Sequence, residues 1–218
     1  MLHCYSLIHD DMPCMDNDDY RRGRLSCHKQ YGEATALLAA DALVTAAFEA
    51  VANAPTQPQS RVQAAAHLAK AAGARGMLYG QELDKHYETV RASESELLEL
   101  HAHKTGALII AGVDLGCDAA QADDALRTAL QHYAAELGLV FQIVDDILDV
   151  TATTEELGKP VGSDVENDKT TFITLYGLEG ARSLAKQHND AALAALADLG
   201  PEADFLREMA VELLIRSK

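Results

Sequence analysis

The strongest constraint in this chain is a helix that carries acids on an apolar body. Between Asp118 and Val150 the apolar residues Leu126, Leu130, Tyr133, Leu137, Phe141, Val144 and Leu148 recur every three or four positions, the pattern of a long helix with one buried stripe. Its last turns read Phe141-Gln142-Ile143-Val144-Asp145-Asp146-Ile147-Leu148-Asp149. At helical spacing Gln142, Asp145 and Asp149 share a stripe with Asp146 beside it, and unpaired charges in such company are costly unless a metal or counter-ion compensates them. That stripe must point somewhere polar.

The remaining sequence agrees with a helical architecture. Hydrophobic residues make up 48% of the 218, aromatic residues only 5% with no Trp, and Ala and Leu recur throughout, so propensity favours helix and an all-β fold is nearly excluded. Further helices are predicted at 33–53, 61–84, from about Glu94 to Leu115, 171–198 and 202–216. Ser93 and Glu96 form a capping-box pattern for the third of these, and Gly116 is expected to stop it. Breaks are expected at 53–60, which holds two prolines, at 116–118, and at 151–169, a long polar stretch of the kind that often serves as a lid. No internal repeat is evident, and a single all-α domain over residues 1–218 is expected.

Charge and cysteine usage narrow the function. Lys and Arg number 18 against 34 Asp and Glu, a formal net charge of -16, which argues against nucleic-acid backbone or an anionic membrane surface as partner. An anionic substrate would need a metal ion as intermediary. Cys4, Cys14, Cys27 and Cys117 make no Cys-x-x-Cys pair and follow no signal peptide, so a reducing, cytoplasmic setting is expected. No apolar stretch is expected to span a membrane, because the Ala-rich run from Ala34 to Ala54 is broken by Asp41 and Glu49.

A second acidic run lies near the start, Asp10-Asp11-Met12-Pro13-Cys14-Met15-Asp16, followed by Asn17-Asp18-Asp19-Tyr20-Arg21-Arg22-Gly23-Arg24. Alone it reads as a solvated face. Together the two clusters form a set of hard oxygen ligands with no His or Cys at metal spacing, which favours magnesium bridging to substrate phosphates. An EF-hand reading of Asp16–Arg21 fails for want of glycine at its sixth place, and Gly158-Lys159 lacks P-loop spacing. His101 and His103 stand two apart, do not share a helical face, and are read as surface or supporting residues.

At this point the sequence resembles the trans-isoprenyl diphosphate synthase (polyprenyl synthetase) family, most closely its bacterial farnesyl diphosphate synthases. Tyr5–Gly23 is similar to the family's first aspartate-rich motif, with Pro13 and Cys14 as the bacterial-type insertion, and Phe141–Asp149 to the second. Gly80-Gln81 with Asp84, His103-Lys104-Thr105-Gly106, Leu157-Gly158-Lys159 and Asp168-Lys169-Thr170 are further family marks. The order holds along the whole chain. The family normally begins with three more helices bearing a Gly-Lys-x-x-Arg-Pro motif, and the resemblance starts only at His3, so a late-assigned start or an N-terminally truncated gene is expected.

The resemblance implies an isoprenoid synthase helical bundle around a central cavity and a short-chain prenyltransferase, most naturally making farnesyl diphosphate. It assigns Asp10, Asp11 and Asp16 on one wall and Asp145 and Asp149 on the other to magnesium. Lys104, Lys159, Lys169 and Arg21 would contact the allylic diphosphate, His3 and Arg22 isopentenyl diphosphate, and Thr105 and Gln142 the developing allylic cation. Tyr5, with the small Ser6 beside it, would set product length, and a homodimer is implied. His9, Cys14, Cys27 and His28 are read as packing residues. Geranylgeranyl diphosphate as product, and a non-catalytic helical fragment, remain alternatives, whereas a terpene cyclase is disfavoured by the second aspartate motif.

Overall fold

The computed structural model describes residues 1–151 and 169–216. The described chain is all-α apart from one short ribbon. Helix α1 (Leu2–Asp10) leads through the acidic turn into β1 (Tyr20–Arg21) and β2 (Arg24–Leu25), then α2 (Cys27–Tyr31), α3 (Glu33–Ala52) and α4 (Pro58–Ala72). There follow α5 (Met77–Tyr87), α6 (Glu94–His101), a π-helical turn at Ala102–Gly106 and α7 (Ala107–Ala120). The chain continues through α8 (Asp124–Thr151), α9 (Phe172–Ala195), a 3-10 turn at Pro201–Ala203 and α10 (Asp204–Ile215).

Helix α8 is the axis of the bundle. Its buried Val140, Ile143, Val144 and Leu148 pack against Phe172, Ala181 and Ala185 of α9 and Leu97 of α6, while Tyr133 and Leu137 meet Ala192, Leu196 and Ala210 farther down. A separate apolar cluster joins α1 to α3, α4 and α5 through Leu2, Tyr5, Ala40, Ala47, Leu68 and Met77. Ala36 and Ala40 are completely buried, so α1 and α3 approach as closely as small side chains allow. Full burial of residues such as Ile143 contributes roughly 1.5–3 kcal/mol each.

Several expectations need correction. The helix predicted at 61–84 is two helices, because the chain turns at Gly73-Ala74-Arg75-Gly76; a Cβ on Gly76 would stand 2.1 Å from the Ala71 carbonyl oxygen. The helix from Glu94 does not end at Gly116. It passes through a π-helical turn and continues to Ala120, where Gln121 takes the left-handed conformation at φ 53. A lone glycine costs a helix only about 1 kcal/mol, too little to stop one packed on two sides. Helix α8 begins at Asp124 rather than near Asp118. Phe141, placed on the apolar stripe by spacing, is 37% exposed. Helix α3 is long and apolar enough to cross a membrane by length and composition, despite Asp41 and Glu49, yet here it packs as a bundle helix beside α1, α2 and α4.

The expected loop at 151–169 lies, apart from its two ends, outside the described residues.

Candidate active site

Between α1, α5, α6, the π-helical turn, α8 and the start of α9 lies a cavity of about 700 Å³. One wall is the acidic turn. After α1 the backbone curls back on itself, with Asp16 N donating to the Asp10 carbonyl at 2.9 Å and Met15 N to Met12 O at 2.8 Å, so Asp10 and Asp16 both reach the cavity. Asp10 accepts a hydrogen bond from the Gln81 amide, and burial raises its pKa against the opposing charge of Lys104. Lys85 caps the turn, donating to Met15 O at 3.0 Å and reaching Asp16 at 3.4 Å.

Asp11 faces away from this space. It is 3% exposed and accepts from the Arg21 guanidinium, Nε at 2.9 Å and also Nη2; burial raises its pKa although Arg21 opposes. The ribbon explains the geometry. Its two-residue turn places Arg22 (φ 53) and Gly23 (φ 72) in the left-handed region that such tight hairpins demand. Successive side chains then diverge: Arg21 goes to Asp11, and Arg22 Nη2 comes within 3.4 Å of His3 Nε2. The two residues expected at the isopentenyl site are thus neighbours, outside the main cavity. Burial and the neighbouring Arg22 charge lower the His3 pKa.

The opposite wall is α8. Gln142, Asp145 and Asp146 line the cavity. Asp146 is committed structurally, accepting from Gln142 Nε2 at 3.0 Å and from Phe172 N at 2.8 Å, which ties α8 to the first turn of α9. Asp145 keeps 39% of its side chain exposed, with Arg216 3.3 Å away. Asp149 is buried, does not line the cavity, and both of its carboxylate oxygens lack a hydrogen-bond partner among the described residues.

Between the walls sit the cations. Lys104 lies in the π-helical turn, a distortion that often marks functional sites, and pairs with Asp84; Lys169 stands 3.7 Å from Asp84 and from Glu88. Burial pushes the Asp84 carboxyl up, but Lys104 and Lys169 outweigh it and hold its pKa below the usual value. For Lys104, burial pushes down and Asp84 wins, so its pKa is raised. Two glycines permit this placement. A Cβ on Gly80 would lie 2.1 Å from Lys104 N, and one on Gly138 would lie 3.3 Å from Gly106 Cα, so α5 and α8 reach the turn only without side chains there. Thr105 is half-buried in the same turn.

Sequence reasoning left His101 as either a surface or a supporting residue, and the structure rules out the first. It is buried, stacks on Phe172 with ring centroids 5.4 Å apart, lines the cavity, and burial lowers its pKa to about 4. His103 meets the Tyr79 ring instead, with centroids 4.9 Å apart, so the two histidines do not share a face, as their spacing requires. Lys85 and Glu88 were given no role by sequence, and Gln81 and Asp84 none beyond family marks; one signal for Asp84 is its place one turn after Gly80. Tyr5 sits in the apolar cluster beneath α1, in edge contact with His9 at 5.3 Å, and Ser6 donates to the His3 carbonyl. Neither lines the cavity. Lys159 lies outside the described residues.

The arrangement suits a phosphorylated ligand. Carboxylates approach from two helices, with lysines and an arginine between and beside them; the donors are hard oxygens, too few to fill a magnesium shell and so leaving room for water and phosphate. A second cavity of about 410 Å³ lies between α4, α7 and α8. There Asp118 already pairs with His67 and Arg127, each at 2.8 Å.

Comparison with known proteins agrees with the geometry. The polyprenyl synthetase family model matches residues 1–201. The chain is 43% identical over 218 residues to the farnesyl diphosphate synthase of Micrococcus luteus, covering 75% of that enzyme. It is 44% identical over 205 residues to the chloroplastic geranylgeranyl pyrophosphate synthase of Catharanthus roseus, covering 93% of this chain and 57% of that one. The Helicobacter pylori geranyltransferase complexed with magnesium and isoprenyl diphosphate superposes with a TM-score of 0.86 at 40% identity, over 98% of this chain and 70% of that one.

Proposed function

The chain belongs to the polyprenyl synthetase family and is a prenyltransferase of the farnesyl diphosphate synthase type, and from that premise we propose how its residues divide the reaction. The carrying observation is the cavity itself, with Asp10 and Asp16 facing Asp145 across a space that holds Lys104 and Lys169. An allylic diphosphate lies there with its phosphates towards the acids and lysines. Isopentenyl diphosphate binds beside His3 and Arg22.

Asp10, Asp16 and Asp145 hold magnesium, with Asp11 and Asp149 supporting from behind the walls. When bound, magnesium supplies Lewis-acid charge that stabilises the departing diphosphate. Lys104 and Lys169 exchange Asp84 for phosphate oxygens as negative charge accumulates, and Arg21 and Lys159 add to that field. The allylic carbon–oxygen bond breaks with its electron pair leaving on the diphosphate. Thr105 and Gln142 face the resulting cation, and Leu97 and Leu100 help exclude water from it. The isopentenyl double bond forms the new carbon–carbon bond, and a proton passes to the released diphosphate, leaving an alkene one isoprene unit longer.

Farnesyl diphosphate is the proposed product, with Tyr5 below the acidic turn as the stop; the similarity to the Catharanthus roseus enzyme favours geranylgeranyl diphosphate as the second reading. We also propose one domain over 1–218, a homodimer through the apolar outer face of α3, where Leu37 and Leu38 are 46% and 66% exposed, and a cytoplasmic location, which suits four free cysteines. The test is incorporation of radiolabelled isopentenyl diphosphate into geranyl diphosphate with magnesium, the products sized by chromatography. A farnesyl product abolished by EDTA is expected. Turnover undiminished in EDTA would overturn the mechanism.

A further inference from the structure

The α8 wall already has a cation on it. Arg216, directly after α10, donates from Nη2 to the Phe141 carbonyl at 3.1 Å and reaches Asp145 Oδ1 at 3.3 Å. Its guanidinium carbon lies 4.3 Å from the centre of the Phe141 ring, which accounts for an aromatic residue left part-exposed between the buried Leu137 and Val144 of its stripe. We propose that Arg216 is the resident counter-cation of Asp145 and that a divalent cation must displace it to use that carboxylate. The inference rests on the metal-site reading given above.

Three observations carry it. Asp145 is the cavity-lining carboxylate of α8 that is free to change partner, since Asp146 is held by Gln142 and by the first turn of α9. Arg216 is anchored loosely: both polar contacts fall on one nitrogen, neither is short, and its buried Nε has no partner among the described residues. A guanidinium meant to stay would use its two-pronged geometry on the carboxylate. Finally, Asp145 Oδ1 cannot serve a guanidinium and a dication at once, because two like charges so close repel. Asp145 is thereby kept compensated in metal-free protein, and metal affinity at this wall is reduced by the fraction of molecules in which Arg216 is seated.

Mn²⁺ binding to the full chain, read by electron paramagnetic resonance with and without inorganic pyrophosphate, tests this without turnover. Arg216→Gln should bind Mn²⁺ about threefold more tightly, the size expected of a part-exposed ion pair. Phe141→Leu, which loosens Arg216 without touching a charge, should move affinity the same way by less. In an Asp145→Asn background the effect of Arg216→Gln should vanish. Unchanged or weaker Mn²⁺ binding in folded Arg216→Gln overturns the proposal, and if that variant does not fold, the same result in Phe141→Leu does so. Wild-type protein that takes up no Mn²⁺ even with pyrophosphate would remove the metal-site reading and this inference together. Uptake that is equal in wild type and variant removes this inference alone.

Discussion

Replacing Gly80 by Ala should disable the enzyme from a position that touches no substrate. The added Cβ would stand 2.1 Å from Lys104 N, 2.4 Å from Lys104 Cα and 2.7 Å from His103 C, all backbone atoms that cannot rotate aside. Reaching an ordinary contact of about 3.4 Å requires α5 and the π-helical turn to part by about 1.3 Å, overpacking of a kind that costs roughly 1–3 kcal/mol. For a chain of this length that lowers Tm by about 2–12 °C. The same displacement carries Asp84 away from Lys104, and about 1 Å of misplacement costs around 10²-fold in rate. Urea denaturation and initial rates of isopentenyl incorporation would measure both. Gly112→Ala is the control: nothing lies within 4 Å of its added methyl, and mid-helix alanine should stabilise by up to about 1 kcal/mol. A Gly80→Ala protein as stable and as fast as wild type would refute the close-approach argument.

Three further outcomes are expected. His101 has its pKa lowered from 6.5 to about 4, so between these values the unfolded chain binds the proton that the native state refuses; stability is complete above pH 6.5 and falls by up to ~3 kcal/mol towards pH 4. His101→Phe should flatten that slope in denaturation series between pH 6.5 and 5, and an unaltered slope would show that another group sets it. Asp84→Asn leaves Lys104 and Lys169 short of a counter-ion and should lower Tm while raising affinity for inorganic pyrophosphate severalfold; calorimetry showing weaker binding would contradict the proposed exchange. Tyr5→Ala should cost about 3 kcal/mol by opening the cluster beneath α1 and lengthen the product by at least one isoprene unit, which chromatography would detect, and an unchanged farnesyl product would show that Tyr5 is not the stop.

What could be read in advance was what periodicity and charge encode. The stripe through Tyr133, Leu137, Val144 and Leu148 is buried as spacing demands, and the two acid clusters do face one cavity. Phe141 escaped because a cation–π partner 75 residues away substitutes for burial. The break at Gly73–Gly76 was written in two glycines and was overlooked because apolar residues continue on either side. The π-helical turn at Lys104 leaves no mark in residue spacing; what approaches it, α5 at Gly80 and α8 at Gly138, comes from other parts of the chain. Partner choice was the least legible. That Asp11 turns inward to Arg21 while Asp10 faces the cavity depends on a hairpin of two residues per strand, shorter than any pattern that alternation can reveal.

The bond from Phe172 N to Asp146 Oδ2 fixes two points of the chain 26 residues apart. It seats the first turn of α9 on α8 and, with it, Lys169 three residues ahead, so a carboxylate on one wall of the cavity sets where a lysine on another side of it stands. Removing the pin by Asp146→Ala should let α9 fray from its first turn and take Lys169 out of reach of Asp84.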